Sequence, residues 1–217
     1  MMVKTAIIQS SYIPWKGYFD IISDVDIFVF LDDVQYTHRD WRNRNMIKFV
    51  NGTIGWLTIP VGHIPRDMMV HQVTFGGRHD WKQEHKEQFA FNYRSAPFYG
   101  ELMEICDCIY GNQTDSLSEF NQFAVRTIAE RIGISTVRYV DSTPLGAEGY
   151  KTTKLINICK TINADYYLSG PSARAYIDEN AFRDNGITVE FKEYGPYKPY
   201  NQPPGEFCHT VSILDTC

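Results

Sequence analysis

Two apolar runs near the start of the chain limit its fold more than any other feature. Residues 4–9 (KTAIIQ) and 26–31 (DIFVFL) are short, rich in β-branched and aromatic residues, and show little polar alternation. A run of that kind is buried on both faces, as strands inside a parallel sheet are. Parallel strands need a crossover between them, and residues 15–23 (WKGYFDIIS) read as a short helix that supplies one. The same alternation returns late in the chain. Residues 136–140, 166–168 and 189–193 read as strands. Residues 151–162 form an amphipathic helix pattern on Leu155, Ile158, Cys159 and Ile162, and residues 172–178 read as a further helix. Residues 4–9, 26–31 and 166–168 are expected to be neighbouring parallel strands.

Between the two halves of that pattern the character changes. Residues 46–50 and 54–61 flank Asn51-Gly52, the strongest short hairpin signal, and Pro60 should end the second arm. Trp56 alternates with Thr58 and Pro60, which favours a core position. Residues 63–77 are loop-like, with a short strand at 70–75. Residues 81–93 carry Trp81, His85 and Phe89 at four-residue spacing. Ser116-x-x-Glu119 is a capping box ahead of Leu117, Phe120, Ala124, Ile128 and Ile132, and Gly133 is placed as the stop. The segment 194–205 is rich in Pro and Tyr and is expected to run extended over the surface. With no repeat, low-complexity segment or long linker, residues 1–217 read as a single α/β domain. Its sheet is expected to be mainly parallel and Rossmann-like, with an inserted β-hairpin and a helical middle region.

Charge and cysteine usage exclude several classes of function. The formal net charge is −5 over 217 residues, whereas nucleic-acid-binding domains are usually basic, so no nucleic-acid partner is expected. No apolar run approaches the ~20 residues of a membrane span. The start, MMVKTAIIQS, lacks the order of basic, apolar and cleavage regions of a signal peptide, so a cytoplasmic location is expected. The five cysteines are irregularly spaced. Cys106-x-Cys108 has no second pair to complete a zinc site, so reduced, mostly structural thiols are expected. His63, His71 and His79 recur at eight-residue intervals, which is no ligand spacing, and no metal site is expected.

The segment 32–45, DDVQYTHRDWRNRN, carries the richest chemistry. Asp32 and Asp33 follow the second strand directly. His38, Arg39, Arg42 and Arg44 then interleave with Tyr36, Trp41, Asn43 and Asn45. Guanidiniums beside large aromatics suit a phosphate or planar anion, and the carboxylates suit a metal, an amine or a proton transfer. The bland alternative is an Arg/Asp network that ties a loop down. Gln9, Asp32–Asp33 and Ser169–Gly170 each end an expected strand, and in open parallel sheets ligands bind beyond those carboxyl ends. In Ser169-Gly170-Pro171-Ser172, Gly permits a tight turn and Pro suits a first helical position. A helix carrying Arg174 is expected to follow, with free N–H groups for an anion; the same geometry is also plain strand-to-helix punctuation. Trp15 and Tyr18 after the first strand are able to floor a pocket, or Trp15 and Phe19 are simply core. Cys208-His209 offers a nucleophile beside a base, but adjacent extended residues point to opposite faces, so the pair is read as inert. No P-loop, G-x-G-x-x-G, G-x-S-x-G or H-E-x-x-H is present.

QSSYIPWKGYFDII, DIFVFLDDVQYTHRDWRNRN, GWLTIPV, YYLSGPSARAYID and SILD together resemble the WbqC-like proteins of bacterial surface-polysaccharide clusters, over nearly the whole chain. Ser10 departs from the usual Pro after Gln9. The chain stops at Cys217 where relatives continue past SILD, so its C-terminal edge is expected to be incomplete. The resemblance implies a cytoplasmic enzyme of O-antigen and lipopolysaccharide sugar biosynthesis that adds a glycyl or other acyl group to an amino sugar. It brings no catalytic residue with it. On that reading the partners are a nucleotide-linked amino sugar and an acyl donor, which is a thioester, an aminoacyl-tRNA or an ATP-activated acid. Arg39, Arg42, Arg44, Arg174 and the Ser169, Gly170, Ser172 turn would bind the diphosphate. Trp15, Tyr18, Tyr36 and Trp41 would meet base or sugar, and Gln9 and Asn43 are further candidates for binding the substrate. Asp33, His38 or Asp32 would take the proton from the attacking ammonium, His38 because an imidazole titrates near neutrality. No cofactor is identified. The alternative is a non-catalytic module holding a nucleotide sugar or a partner of the same pathway.

Overall fold

A computed structural model describes residues 2–77 and 80–217; His79 lies outside the described residues. In chain order the elements begin β1 (Lys4–Ile8), α1 (Lys16–Ser23), β2 (Ile27–Phe30), β3 (Arg44–Lys48), β4 (Ile54–Thr58), α2 (Trp81–Asn92) and α3 (Tyr99–Tyr110). They continue with α4 (Leu117–Arg131), β5 (Arg138–Asp141), α5 (Thr152–Thr161), β6 (Tyr166–Ser169), α6 (Glu179–Asp184) and β7 (Thr188–Phe191). The chain divides into two compact units. One takes Met1–Gln9, Gly17–Asp33 and Ile134–Tyr197; the other takes Ser10–Lys16, Val34–Gly133 and Lys198–Cys217.

The first unit is a five-stranded parallel sheet in the order β5-β2-β1-β6-β7. The three strands expected to be neighbours are so, with Ala6 of β1 opposite Phe28 of β2 on one side and Leu168 of β6 on the other. Alternation explains the unbroken apolar run of β2. Ile27 and Val29 enter a core with Ile7, Ile158, Cys159 and Phe182. Phe28 and Phe30 instead meet Tyr18 and Tyr139, with Phe30 stacked on Tyr139 at 5.8 Å. Burial pushes the Cys159 thiol up to about 12, as suits an inert core group.

One local expectation fails here. The helix expected over 172–178 is a five-residue 3-10 turn, Pro171–Ala175, followed by the separate helix α6. The Ala173 N–H closes on the Gly170 carbonyl. The regular helix starts only where the Asp178 side chain accepts the Ala181 N–H at 3.1 Å, a cap that nothing upstream offers.

The second unit holds the antiparallel hairpin β3–β4 and the helices α2, α3 and α4. Asn51-Gly52 sits in a connection of residues 49–53 rather than a two-residue turn, with Phe49 N–H donating to the Thr53 carbonyl. Gly52 has φ 87, and a Cβ there would lie 2.6 Å from the Pro204 carbonyl oxygen, so both conformation and space demand glycine. The faces of β4 are reversed from expectation: Leu57 is buried, while Trp56 is 45% exposed. Residues 70–75 form a 3-10 turn, Val70–Gln72, and isolated bridges at Thr74 and Phe75. Helix α3 is absent from the expectations above, although Leu102, Ile105, Cys106 and Ile109 keep helical spacing and are buried. Ser116 caps α4 by accepting the Glu119 N–H. Glu119 accepts instead from the Thr114 hydroxyl, so the reciprocal half of the box is replaced.

The core of this unit includes a polar line through aromatic rings. Tyr12 Oη lies 2.7 Å from His85 Nδ1 and 2.6 Å from Tyr110 Oη, amid Trp81 and Phe120. Burial lowers the His85 imidazole from 6.5 to about 4, against a bond to the Thr58 backbone that raises it. The unfolded imidazole therefore takes its proton near 6.5 and the folded one near 4. Between these values the unfolded state binds more protons, so stability falls as pH falls, by up to about 3 kcal/mol for such a shift. We expect His85→Gln to flatten this slope between neutrality and about pH 4, measured by urea unfolding at stepped pH. Parallel curves for the two proteins would show that His85 is not its source.

Candidate functional site

In the first unit the polar residues expected at the strand ends sit where the topology puts them. Gln9 follows β1, Asp32 and Asp33 follow β2, and Ser169 ends β6. The strand order reverses between β1 and β6, since β2 and β5 extend the sheet one way and β7 the other. Gln9 is partly buried and its carbonyl accepts the Tyr18 hydroxyl at 3.0 Å. Tyr18 is buried against Phe28 and so belongs to the core, not to a pocket floor. Asp32 is fully buried. Asp33 is partly exposed, and both its oxygens are engaged: Oδ2 accepts Lys154 Nζ at 2.6 Å, and Oδ1 accepts the buried Ser142 hydroxyl. Lys154 Nζ also donates to the Ala147 carbonyl at 2.9 Å. Ser169 is buried, with its hydroxyl 3.2 Å from Tyr167 Oη. Ser172 and Arg174 are exposed on the 3-10 turn, and the Arg174 guanidinium covers the Phe191 ring at 4.3 Å. A 3-10 turn this short does not build the aligned dipole of a full helix, so the anion-cradle reading of residues 169–172 loses that support.

In the second unit, residues 34–45 fold into a basic loop leading into β3. Its two asparagines are structural clamps. Asn43 Nδ2 donates to the Ile59 carbonyl at 3.0 Å, while the Ile59 N–H returns to the Asn43 carbonyl at 2.7 Å. Asn45 Nδ2 donates to the carbonyls of both Tyr12 and Ile13, at 3.0 and 2.8 Å. Ile13 has φ 34, a conformation a β-branched residue rarely adopts, and the amide of Asn45 helps hold it there. The arginines differ from one another. Arg42 is buried and faces Asp40 at 3.9 Å. Arg44 donates to the Arg39 carbonyl and stacks 4.2 Å over Trp56, which lies 5.3 Å from Trp41. Arg39 is exposed at a left-handed position, φ 55. Burial alone would raise Asp40, but Arg42, the Thr37 hydroxyl, the Trp41 N–H and Arg44 together hold it below the usual carboxylate range. Tyr36 is buried, with exposed His38 edge-on at 5.5 Å. Trp15 is half-buried and bridges Ser212.

The WbqC-like protein family matches residues 9–217, a span that includes the basic loop, Gln9 just after β1 and the ends of β2 and β6. The chain belongs to that family. It is also 42% identical over 215 residues, 99% of this chain and 92% of the relative, to the uncharacterized protein Rv1507c of Mycobacterium tuberculosis (strain ATCC 25618 / H37Rv). No solved structure matches.

Within this WbqC-like chain, sequence reasoning missed Ser142 and Lys154, which fix Asp33. It also missed a buried carboxylate in the second unit. Asp215, in the SILD segment, accepts from Tyr93 Oη at 2.7 Å, Tyr200 Oη at 2.8 Å and the Gln202 amide. Burial pushes Asp215 up, against those three donors and Lys48. The one signal was SILD itself, recognised as a family block without a role.

The clamp role of Asn45 has a measurable consequence. Asn45→Ala leaves two carbonyls without their donor beside a strained residue, and each buried polar group so orphaned costs about 1–3 kcal/mol. We expect urea unfolding to show a loss of roughly 2–4 kcal/mol on that basis. Asn45→Asp should be no better, because a carboxylate cannot donate. A loss near zero for Asn45→Ala would mean that the loop holds itself by other contacts.

Proposed function

We propose that this WbqC-like protein is a transferase that adds a glycyl or other acyl group to the amino group of a nucleotide-linked amino sugar in surface-polysaccharide biosynthesis. One observation carries the reading: Gln9, Asp32, Asp33 and Ser169 cluster by topology at the carboxyl edge of a parallel sheet whose strand order reverses between β1 and β6. Numbered as sheet strands alone, that order is 3-2-1-4-5, as in Rossmann-like doubly wound sheets, whose nucleotide ligands bind at the reversal. Family membership supports the same pathway.

The chemistry required is modest. An amino-sugar nitrogen is an ammonium near neutrality and must lose a proton before it attacks an acyl carbonyl. Asp33 lies at the right edge and is partly open to solvent, and Lys154 and Ser142 fix the direction of its carboxylate. Buried Asp32 is better placed to orient a neighbour than to meet a ligand. His38, exposed on the basic loop, is the second proton acceptor we consider. Within the second unit taken by itself, Arg39 and the Trp41–Trp56 pair with its stacked Arg44 offer charge and aromatic surface, a separate place that would suit a phosphate-bearing ligand.

The engagement of both Asp33 oxygens favours a second reading, a binding module without catalysis. Turnover separates the two. Purified protein is incubated with nucleotide-linked amino sugars and acyl donors, product is followed by mass spectrometry, and binding by thermal shift, since ligand raises apparent stability by mass action. Asp33→Asn or His38→Ala should keep the shift and lower turnover about a hundredfold, the usual worth of a positioned base. Binding without any turnover in the unaltered protein would establish the binding module. Neither binding nor turnover across the panel would remove both readings.

A further inference from the structure

We propose that the face formed by Trp41, Trp56 and Arg44 in the second unit is a nucleotide site, with the base stacked on the indole rings and a phosphate taken by Arg39. This deepens the transferase reading above, on which it rests for what the nucleotide carries; the binding itself is measured without turnover. Both indoles are open to solvent, Trp41 at 41% and Trp56 at 45%. Their ring centres lie 5.3 Å apart with the planes tilted by 39°. One ring comes from the loop 34–45 and the other from β4, so the pair is made by the fold and not by closeness in sequence. The loop side is pinned at both backbone groups. The Trp41 N–H donates to Asp40 Oδ1 at 2.7 Å, and the Trp41 carbonyl accepts the Tyr12 N–H at 2.9 Å. On the strand side, Trp56 is paired with Met46 across the hairpin, and the next residue, Leu57, is buried. An exposed aromatic pair on backbone held this way loses little freedom when a further ring stacks on it.

Arg44 joins this surface to charge. Its guanidinium lies 4.2 Å over the Trp56 ring and donates to the Arg39 carbonyl. The backbone of Arg39 is thereby held beside the indoles, and its side chain is exposed. Arg44 Nε is closed off from solvent and meets no hydrogen-bond acceptor among the described residues. Buried donors are nearly always satisfied, and a charged one left over is costly. An anionic oxygen is the acceptor that suits such a group best. The carboxylate of Asp40 does not fill that need. It accepts the Thr37 hydroxyl at 2.6 Å and the Trp41 N–H, and it faces Arg42 at 3.9 Å.

Ring and charge together choose the class of ligand. Any nucleobase stacks on an indole, because each has a π face, and a phosphate matches the planar fork of a guanidinium. A neutral sugar is the poorer match. Its hydroxyls donate as well as accept, and both Asp40 oxygens are already engaged. Two sources share the nucleotide chemistry: the nucleotide-linked sugar, and a nucleotide-borne acyl donor such as coenzyme A or an acyl adenylate.

The test titrates the full chain with UDP, ADP and coenzyme A, followed by indole emission and by calorimetry. Stacking should quench the emission, and the quench should shrink in Trp41→Ala and Trp56→Phe. Trp41→Ala should weaken nucleotide binding about ten- to a hundredfold, the scale of one lost base stack, while Trp41→Phe keeps most of the affinity. Arg39→Ala should weaken the nucleotide that binds by about tenfold, the loss of one charge-assisted contact, yet leave its free nucleoside unchanged. Whether UDP or the adenine nucleotides bind names the source. No binding of UDP, ADP or coenzyme A overturns the proposal, and so does binding that Trp41→Ala and Arg39→Ala leave unaltered. A neutral oligosaccharide bound through Trp41 as tightly as any nucleotide also overturns it, as does self-association in sedimentation that Trp41→Ala abolishes. Turnover that persists in any of these cases leaves the transferase reading intact. Nucleotide binding that depends on Trp41 and Arg39, with no turnover in the unaltered protein, supports the site and counts against that reading alone.

Discussion

Parallel pairing sends every strand of a sheet out at the same edge, and the polar chemistry of the first unit follows from that. Once Ala6 is in register with Phe28 and Leu168, Gln9, Asp32–Asp33 and the Ser169–Gly170 turn emerge together, however far apart they lie in sequence. Both faces of the central strands are filled by apolar side chains, so polar groups are left to the edges. The two edges use carboxylates differently. At the amino edge, Asp26 accepts the Lys4 N–H and Asp165 accepts the Val3 N–H, each at 2.8 Å. Those carboxylates finish the backbone bonding of the strands. At the carboxyl edge, Asp33 meets side chains instead, Ser142 and Lys154. Its position is set by the sheet but is not needed to complete it.

What could be read from the sequence tracks how locally each feature is written. Burial on both faces writes strands as continuous apolar runs, so β1, β2 and β6 were legible, and so was their adjacency. The Ser116 cap and the Gly133 stop are local too, and both stand. The faces of β4 were not legible, because Ile54, Trp56 and Thr58 alternate with Leu57 and Ile59 and either set could have been the inner one. The Gly170-Pro171-Ser172 turn has the punctuation of a helix start, yet Asp178 caps the regular helix later. The asparagines of W-R-N-R-N were visible as unusual, but a side-chain amide that donates to a backbone carbonyl gives no sign of its partner. Pairings across 121 and 122 residues, Asp33 with Lys154 and Tyr93 with Asp215, leave no local trace at all.

The second unit holds two carboxylates, one partly and one fully buried, that burial pushes the same way and partners treat differently. Asp40 is held below the usual range because its surroundings include two guanidiniums and direct hydroxyl and N–H donors. Asp215 is raised because its direct donors are two phenols and an amide. The cation near it, Lys48, is buried and donates to the Glu206 carbonyl at 2.7 Å. Neutral donors satisfy a buried carboxylate without repaying its desolvation as a paired charge does. Asp40 is accordingly a counter-ion, and Asp215 is a hub for hydrogen bonds that order residues 200–208.

That difference bears on which part of the molecule can attract an anion. The chain as a whole is acidic, with a formal net charge of −5. The loop 34–45 nevertheless carries Arg39, Arg42 and Arg44 against the single carboxylate of Asp40, and Asp40 is already committed to Arg42. Within the loop, Arg44 has its charge spread over the face of Trp56, an arrangement that keeps the guanidinium cationic while desolvating one side of it. Local potential is set by such groupings and not by net charge. A negative protein can therefore present a positive, aromatic surface of small extent. On the transferase reading proposed above, the phosphate of a nucleotide-linked sugar would match that scale.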